Sequence, residues 1–178
     1  TSLRVGLLVG AGDYSDRLTW WVRRIDQAPA KGQIVPAPAP RHRPVQLIDV
    51  RDVAKFAHQC ATNDLGGIWN VTSQPERFED ILKAIHSVCT SDAEISWVSE
   101  KAIVEAGIEP WSDIPMMAPN IPEFRHLLYV STEKARSAGL TIRPLSETLT
   151  PLLEWDRQRR DVALKVGMTQ EQEAKLIG

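Results

Sequence analysis

The feature that most constrains this chain is its opening. Leu3-Arg-Val-Gly-Leu-Leu-Val9 is an apolar run with a single charge, closed by Gly10-Ala-Gly12-Asp13. Without polar alternation, such a run is expected to be buried on both faces, as an interior strand of a parallel sheet is. The next segments alternate between helix and strand in keeping with that start. From Asp16, read as an N-cap, Leu18, Trp21, Val22 and Ile25 recur at helical spacing. Val45–Val50 reads as a second strand, running through Arg51-Asp52 into a helix with Val53, Ala54, Ala57, Cys60 and Ala61 on one face. Asp52 is expected to cap that helix, and Asp49 to hold Arg51 or a loop amide. Gly66-Gly67 precedes a third strand, Ile68–Thr72. A helix is expected near Phe78 to Val88, with Phe78, Ile81, Leu82 and Ile85 on its inner face.

The second half is less regular. Pro36, Pro38, Pro40 and Pro44 predict an extended surface segment after a turn at Lys31-Gly32 and a short strand. Ala93–Val98 alternates like a strand with one wet face, and Ser99–Ala106 is a short helix stopped by Gly107. Residues 110–122 form a long shaped loop with four prolines and two methionines. Leu127–Val130 is expected to be a strand, followed by a helix from Ser131 to Gly139. Ser146 opens an amphipathic helix, and Thr169-Gln-Glu-Gln172 has capping-box spacing before a terminal one. Strands alternating with helices give an α/β fold class.

Charge narrows the partners. A net charge of −2 over 178 residues carries no footprint for nucleic acid or an anionic membrane surface. No apolar run approaches the roughly 18 residues of a membrane helix, and the first residues do not form a signal peptide. Cys60 and Cys89 sit in helical, apolar segments, which predicts buried free thiols and a cytoplasmic setting. There is no CxxC and no clustered histidine, so no metal site is expected.

Four segments, in order, resemble the extended short-chain dehydrogenase/reductase family, the NAD-dependent epimerases and dehydratases. Leu3–Asp13 is similar to that family's sixth Rossmann strand and the turn after it. Gln46-Leu-Ile-Asp-Val-Arg-Asp-Val-Ala54 is similar to its later strand-to-helix junction, Gly67-Ile-Trp-Asn-Val71 to the strand that comes next, and Leu145-Ser-Glu-Thr-Leu149 to its C-terminal helix. The resemblance spans most of residues 2–156 and implies the C-terminal part of a Rossmann-type fold: the last sheet strands plus a small α/β substrate-binding region. It divides the chain into the end of the Rossmann-type domain (1–30), the substrate-binding region (31–160) and a tail helix (161–178). The family's Gly-x-x-Gly-x-x-Gly cofactor loop and its catalytic Tyr-x-x-x-Lys are both missing here. No catalytic residue is therefore assigned. The chain is expected to need an N-terminal Rossmann half that carries most of an NAD or NADP site, and a homodimer is possible.

The resemblance places Val5, Gly6 and Leu7 beside the nicotinamide, Gly6 allowing close approach; the plainer reading is a strand whose glycine serves packing. Gly10, Asp13 and Arg17 fall at the mouth of the substrate cleft, or else Asp13 caps a helix and Arg17 is solvated. Within the basic cluster Arg41-His42-Arg43, Arg43 is a candidate for a substrate phosphate, although it stands two residues before the family's arginine. Trp111, Met116 and Met117 lie where the family has its variable lid, and Trp20 and Trp21 join them as candidates for an apolar pocket. The alternative is permanent packing. The implied function is the substrate half of an NAD(P)-dependent reductase or epimerase acting on a small apolar or sugar-like carbonyl or hydroxyl compound. The competing class is a non-catalytic relative, a sensor or assembly factor.

Overall fold

The protein is represented by a computed structural model that describes residues 1–28 and 33–177. The expected turn at Lys31-Gly32 lies outside the described residues. The opening run is not one strand but two, β1 (Ser2–Val5) and β2 (Leu7–Val9), broken at Gly6. β1 pairs in parallel with β6 (Ile68–Val71), and β2 in parallel with β5 (Leu47–Asp49). The break has a steric cause. Gly6 N donates to Val71 O at 3.1 Å, and a Cβ on Gly6 would lie 2.7 Å from Thr72 Cβ. The Thr72 side chain occupies the space any other residue would need. Burial on both faces is not realised along β1: Ser2, Arg4 and Val5 are exposed, and among the described residues β1 pairs on one side only. The helical half of the pattern holds more closely.

Helices α1 (Arg17–Asp26), α3 (Phe78–Cys89) and α6 (Leu145–Arg157) pack together over one core. Leu18, Trp21, Val22 and Ile25 meet Phe78, Ile81, Leu82 and Ile85 there, with Leu149, Leu152 and Leu153 of α6. Trp21 and Phe78 meet edge to face at 5.1 Å between ring centres. A second, smaller cluster gathers Ile48, Phe56, Cys60, Trp69, Val71, Ala135 and Leu140 under α2 (Val50–Thr62) and α5 (Glu133–Ser137). Neighbours in β5 separate the two, Leu47 belonging to the first and Ile48 to the second, as alternate side chains of a strand must. Cys60 and Cys89 are free and buried.

The caps are redistributed relative to the sequence expectation. Asp49, not Asp52, caps α2: its carboxylate accepts from Arg51 N at 2.8 Å. Asp52 instead accepts from Arg143 N, Nε and Nη2. Asp49 also takes the Arg51 guanidinium and the Thr148 hydroxyl of α6. Burial pushes the Asp49 carboxyl up, but the Arg51 and Thr148 hydrogen bonds and the Arg143 charge outweigh it and hold the group below the usual carboxylate value. Pro151 lies inside α6 and lacks the N–H that would reach Glu147 O. Arg51 Nη2 donates to that carbonyl at 2.9 Å, so the helix keeps its proline without an orphaned acceptor.

The proline segment is extended but not superficial. Ile34–Pro38 is strand β3, paired in parallel with β8 (Glu94–Val98), and Val35, Pro36, Ala37 and Pro38 are all buried. In a parallel ladder alternate residues face the partner. Gln33 O and Ala39 N bond to β8, which leaves Pro36 and Pro38 at positions where no N–H is needed. The two-residue strands β4 (Pro44–Val45) and β7 (Glu76–Arg77) pair antiparallel. Leu127–Val130 is not a strand. The Gln46 side chain stands in for a neighbouring strand: Val130 N donates to its Oε1 at 2.7 Å, and its Nε2 donates to Val130 O and Ser73 O.

After the short α4 (Glu100–Glu105), capped by Ser99, and the loop beyond it, residues 159–169 form a strap that leads to the last helix. Thr169 and Gln172 form the reciprocal capping box at the start of α7 (Gln170–Ile177). Gly167 crosses Trp20 so closely that a side chain there would enter the indole, and Gly167 N donates to Ser112 O at 2.8 Å. No helix among the described residues is long and apolar enough to cross a membrane.

Candidate functional site

Strand β2 delivers the chain to the loop Gly10–Asp16. Asp13, a candidate ligand by sequence, has its carboxylate turned inward. It accepts from Ser15 N, Ser15 Oγ and Thr19 Oγ1, and so folds the loop onto the start of α1. Asp16 stands at the cap position of α1 but in a left-handed conformation (φ 58°) with no capping bond. Its buried carboxylate accepts from Arg159 Nη1 at 3.0 Å and Lys165 N at 3.1 Å, pinning the loop to the C-terminal strap. Gly10 lines a small recess of about 170 Å³ with Leu8, Tyr14 and Val50.

Around the break at Gly6 the three expected cofactor contacts separate. Val5 is 37% exposed and Gly6 is also open, whereas Leu7 pairs with Leu47 and packs into the first core. Beneath Gly6 the Thr72 hydroxyl is buried with no hydrogen-bond partner. The close approach that Gly6 permits is thus to its own sheet.

A larger cleft of about 470 Å³ lies between Arg43, Glu100 of α4 and the loop from Met116 to Tyr129. Met116, Phe124 and Leu128 give it an apolar wall, while Arg43, Asn120, Arg125 and Tyr129 bring polar groups to its rim. Arg43 is held by an Nη2 bond to Ala39 O, with the Glu100 carboxylate 4.0 Å away. Its Nε is buried without a partner. Burial lowers the Arg43 pKa, and Glu100 offsets part of that. An apolar pocket with a few convergent polar groups is the usual form of a small-molecule site. Arg41, the neighbour of Arg43 in the basic cluster, instead lies over the Trp97 ring. Glu100, Asn120, Arg125 and Tyr129 escaped sequence reasoning because they have no common spacing.

The aromatic candidates divide. Trp20 and Trp21 are core, ring centres 4.7 Å apart, and Trp21 Nε1 donates to Pro115 O. Met117 is fully buried, and only Met116 reaches the cleft. Trp111 is half-buried and carries Arg17 on its face, the guanidinium carbon 4.9 Å from the ring centre. Both Trp111 (φ 75°) and Met116 (φ 67°) hold left-handed backbone conformations, each costing about 1–3 kcal/mol for a side chain of that size. The Arg17–Trp111 contact joins the start of α1 to the loop after α4, while the cleft itself is lined from Met116 onward and by Arg43 and Glu100. No group of three or more potential metal ligands occurs among the described residues.

No family model and no curated protein matches the sequence. Solved structures do match the fold. A GDP-L-fucose synthetase from Naegleria fowleri, bound to NADP, is similar with a TM-score of 0.63 at 11% identity, over 93% of this chain and 49% of that one. The UDP-glucose 4-epimerase of Thermus thermophilus, in complex with NAD, gives 0.56 at 19% identity, over 89% and 46%. An epimerase from Methanothermobacter thermautotrophicus gives 0.57 at 12%, over 89% and 43%. The chain spans about half the length of each. At these identities the likeness is one of fold.

Proposed function

We propose, from the premise that this chain folds as the C-terminal part of an extended short-chain dehydrogenase/reductase, that it forms the substrate-binding half of an NAD(P)-dependent epimerase or reductase. The observation that carries the reading is structural: about nine-tenths of this chain superposes on roughly half of enzymes solved with NAD or NADP. The complementary half, with the dinucleotide loop and the acid/base tyrosine, is proposed as its partner. Val5 and Gly6, open at the end of β1, would meet the nicotinamide ring, which supplies hydride acceptance and donation when bound. The exposed Leu8 and Val50 beside them form an apolar surface suited to excluding water from that ring. The substrate would enter the cleft bounded by Arg43 and Met116, where the apolar wall binds its body and the rim orients its polar groups.

The test joins this chain to the proposed dinucleotide-binding half and follows the Val5 methyl resonances during NADH and NADPH titration. They are expected to shift with saturation in the joined protein, and the 178-residue chain alone is expected to show no saturable response. Tight cofactor binding by the chain alone, or silent Val5 methyls in a joined protein that binds cofactor, would overturn the assignment.

A further inference from the structure

The half-buried guanidinium groups of this protein are paired almost throughout: Arg23 with Asp156, Arg24 with Glu173, Arg143 with Asp52, Arg159 with Asp16 and Arg160 with Asp26. Arg17 differs. It is half-buried, its Nε is sealed from solvent without a hydrogen-bond partner, and no carboxylate among the described residues lies within ion-pair reach of it. Its one attractive contact is the face of Trp111. Such a contact uses the charge of the guanidinium and gives its N–H groups no hydrogen-bond acceptor.

The indole beneath it is held there by force. Trp111 keeps a left-handed backbone, and its loop is clamped by Trp111 N to Ile114 O, Glu109 N to Asp113 Oδ2 and Gly167 N of the terminal strap to Ser112 O. A sealed guanidinium Nε without an acceptor and a left-handed tryptophan backbone are each unfavourable alone. Together they make a preorganised fork. Asp13 and Asp16, the nearest acids in sequence, are committed elsewhere, to Ser15 and Thr19 and to Arg159 and Lys165. Neither is available to neutralise the fork.

We infer that Arg17, stacked on Trp111, receives an oxyanion of the substrate, a carboxylate or a phosphate, through in-plane paired hydrogen bonds. The inference rests on the reading that the loops after β2 and α4 face substrate. It adds that the substrate is anionic and is oriented from the β2 loop.

The test uses the 178-residue chain with inorganic phosphate and acetate as probes, at constant ionic strength. The readout is the indole N–H resonance of Trp111, assigned by its loss in Trp111→Phe. A saturable shift is expected with at least one probe, and the stronger of the two identifies phosphate or carboxylate as the preferred group. Arg17→Gln should weaken the response about tenfold or more. Arg17→Lys, which keeps the charge but loses the fork and the stack, should weaken it as well, while Arg43→Gln should leave it in place. An indole that does not move with either probe, or that moves equally in Arg17→Gln, overturns the inference. If phosphate binds at Arg17 but the joined protein transfers no hydride, the anion site stands and the enzyme reading falls. If turnover occurs and Arg17→Gln leaves KM unchanged, the enzyme reading stands and the anion site falls.

Discussion

The two ends of helix α1 place the same residue type in opposite circumstances. Toward its C-terminal end, Arg23 reaches across to α6 and is saturated: Nε shared between both Asp156 oxygens, Nη2 to Asp156 at 2.6 Å, and further bonds to Val162 O and Arg159 O. At its first residue, Arg17 stacks on an indole and leaves its Nε unpartnered. One helix thus carries a cation that closes the fold and a cation the fold leaves open. Burial alone does not distinguish a structural arginine from a functional one; the fate of its N–H groups does. The distinction extends outward. The α1–α6 side is closed by a run of ion pairs through Asp26, Asp156, Arg157 and Arg160, whereas Arg17 and Arg43 keep a buried Nε without a hydrogen bond and the 110–117 loop holds two strained side chains.

The largest effect is expected where the sealed side is opened. Asp156 is fully buried, and Asp156→Ala would strand Arg23 without its anion and leave Arg160 with Asp26 alone. Removal of one member of a buried pair costs about 3–5 kcal/mol. Urea unfolding should show that loss, and a value below about 1 kcal/mol would mean that water reaches the network and that the two sides are not so different.

Next is the strand break. Gly6→Ala must displace the Thr72 side chain, as overpacking of a built contact does, at about 1–3 kcal/mol. Adding Thr72→Ala should recover part of it, since the hydroxyl oxygen that lies nearest is gone while the colliding Cβ stays. A double mutant no more stable than Gly6→Ala alone would show that the break has another cause. Trp111→Ala tests the cleft side. Half-burial and relief of a left-handed tryptophan predict a loss of only about 1–2 kcal/mol against the roughly 3–5 kcal/mol of a core aromatic, with KM raised in the joined enzyme. A core-sized loss with unchanged kinetics would return Trp111 to packing.

How far the sequence foretold this depends on what each residue competes for. Helical periodicity was enough for α1, α3 and α6 because one apolar face meets one core, whereas α2 buries Phe56 and Cys60 and leaves the expected Ala54 and Ala61 exposed. The Thr169–Gln172 box was legible because both partners are local. Asp49 holds Arg51 as expected, but it also takes the cap expected of Asp52, because Arg143, 91 positions from Asp52, competes for the Asp52 carboxylate and no local rule weighs that. Leu127–Val130 has strand-like residues, but its backbone is bonded by one glutamine amide from across the fold. The site suffered most. Arg17 and Trp111 were each visible as candidates, yet their contact depends on the terminal strap that fixes both loops, a tertiary fact with no spacing to reveal it.

Alkaline titration gives a gentler probe of the sealed side. Cys89 sits between α3 and α1, its thiol against Val22 O, and burial foremost, with the Asp26 charge, pushes its pKa up from 9.0 to about 12. The folded value lies above the unfolded one, so the stability linked to this thiol is full below about pH 9 and is lost as pH rises toward 12. Thiol labelling at mildly alkaline pH should find Cys89 inert until the protein unfolds. Rapid labelling of the native state would mean that the α1–α3 contact opens readily.

The smallest expected effect decides the comparison most directly. Arg23→Gln and Arg17→Gln remove the same group from the same helix. The first leaves Asp156 with Arg160 alone and two carbonyls without donors, and it should destabilise by several kcal/mol. The second removes no ion pair and relieves a desolvated nitrogen, losing only the stacking on Trp111, so the balance should fall within about 0.5 kcal/mol of zero. Paired unfolding curves of the two variants, without added phosphate, measure the gap. If Arg17→Gln costs as much as Arg23→Gln, then Arg17 is a structural cation whose partner becomes apparent only in solution, and the open end of α1 is closed after all. If it costs nothing while saturating phosphate stabilises the parent chain and not the variant, the anion supplies what the fold withheld, because a ligand bound only by the native state adds directly to its stability.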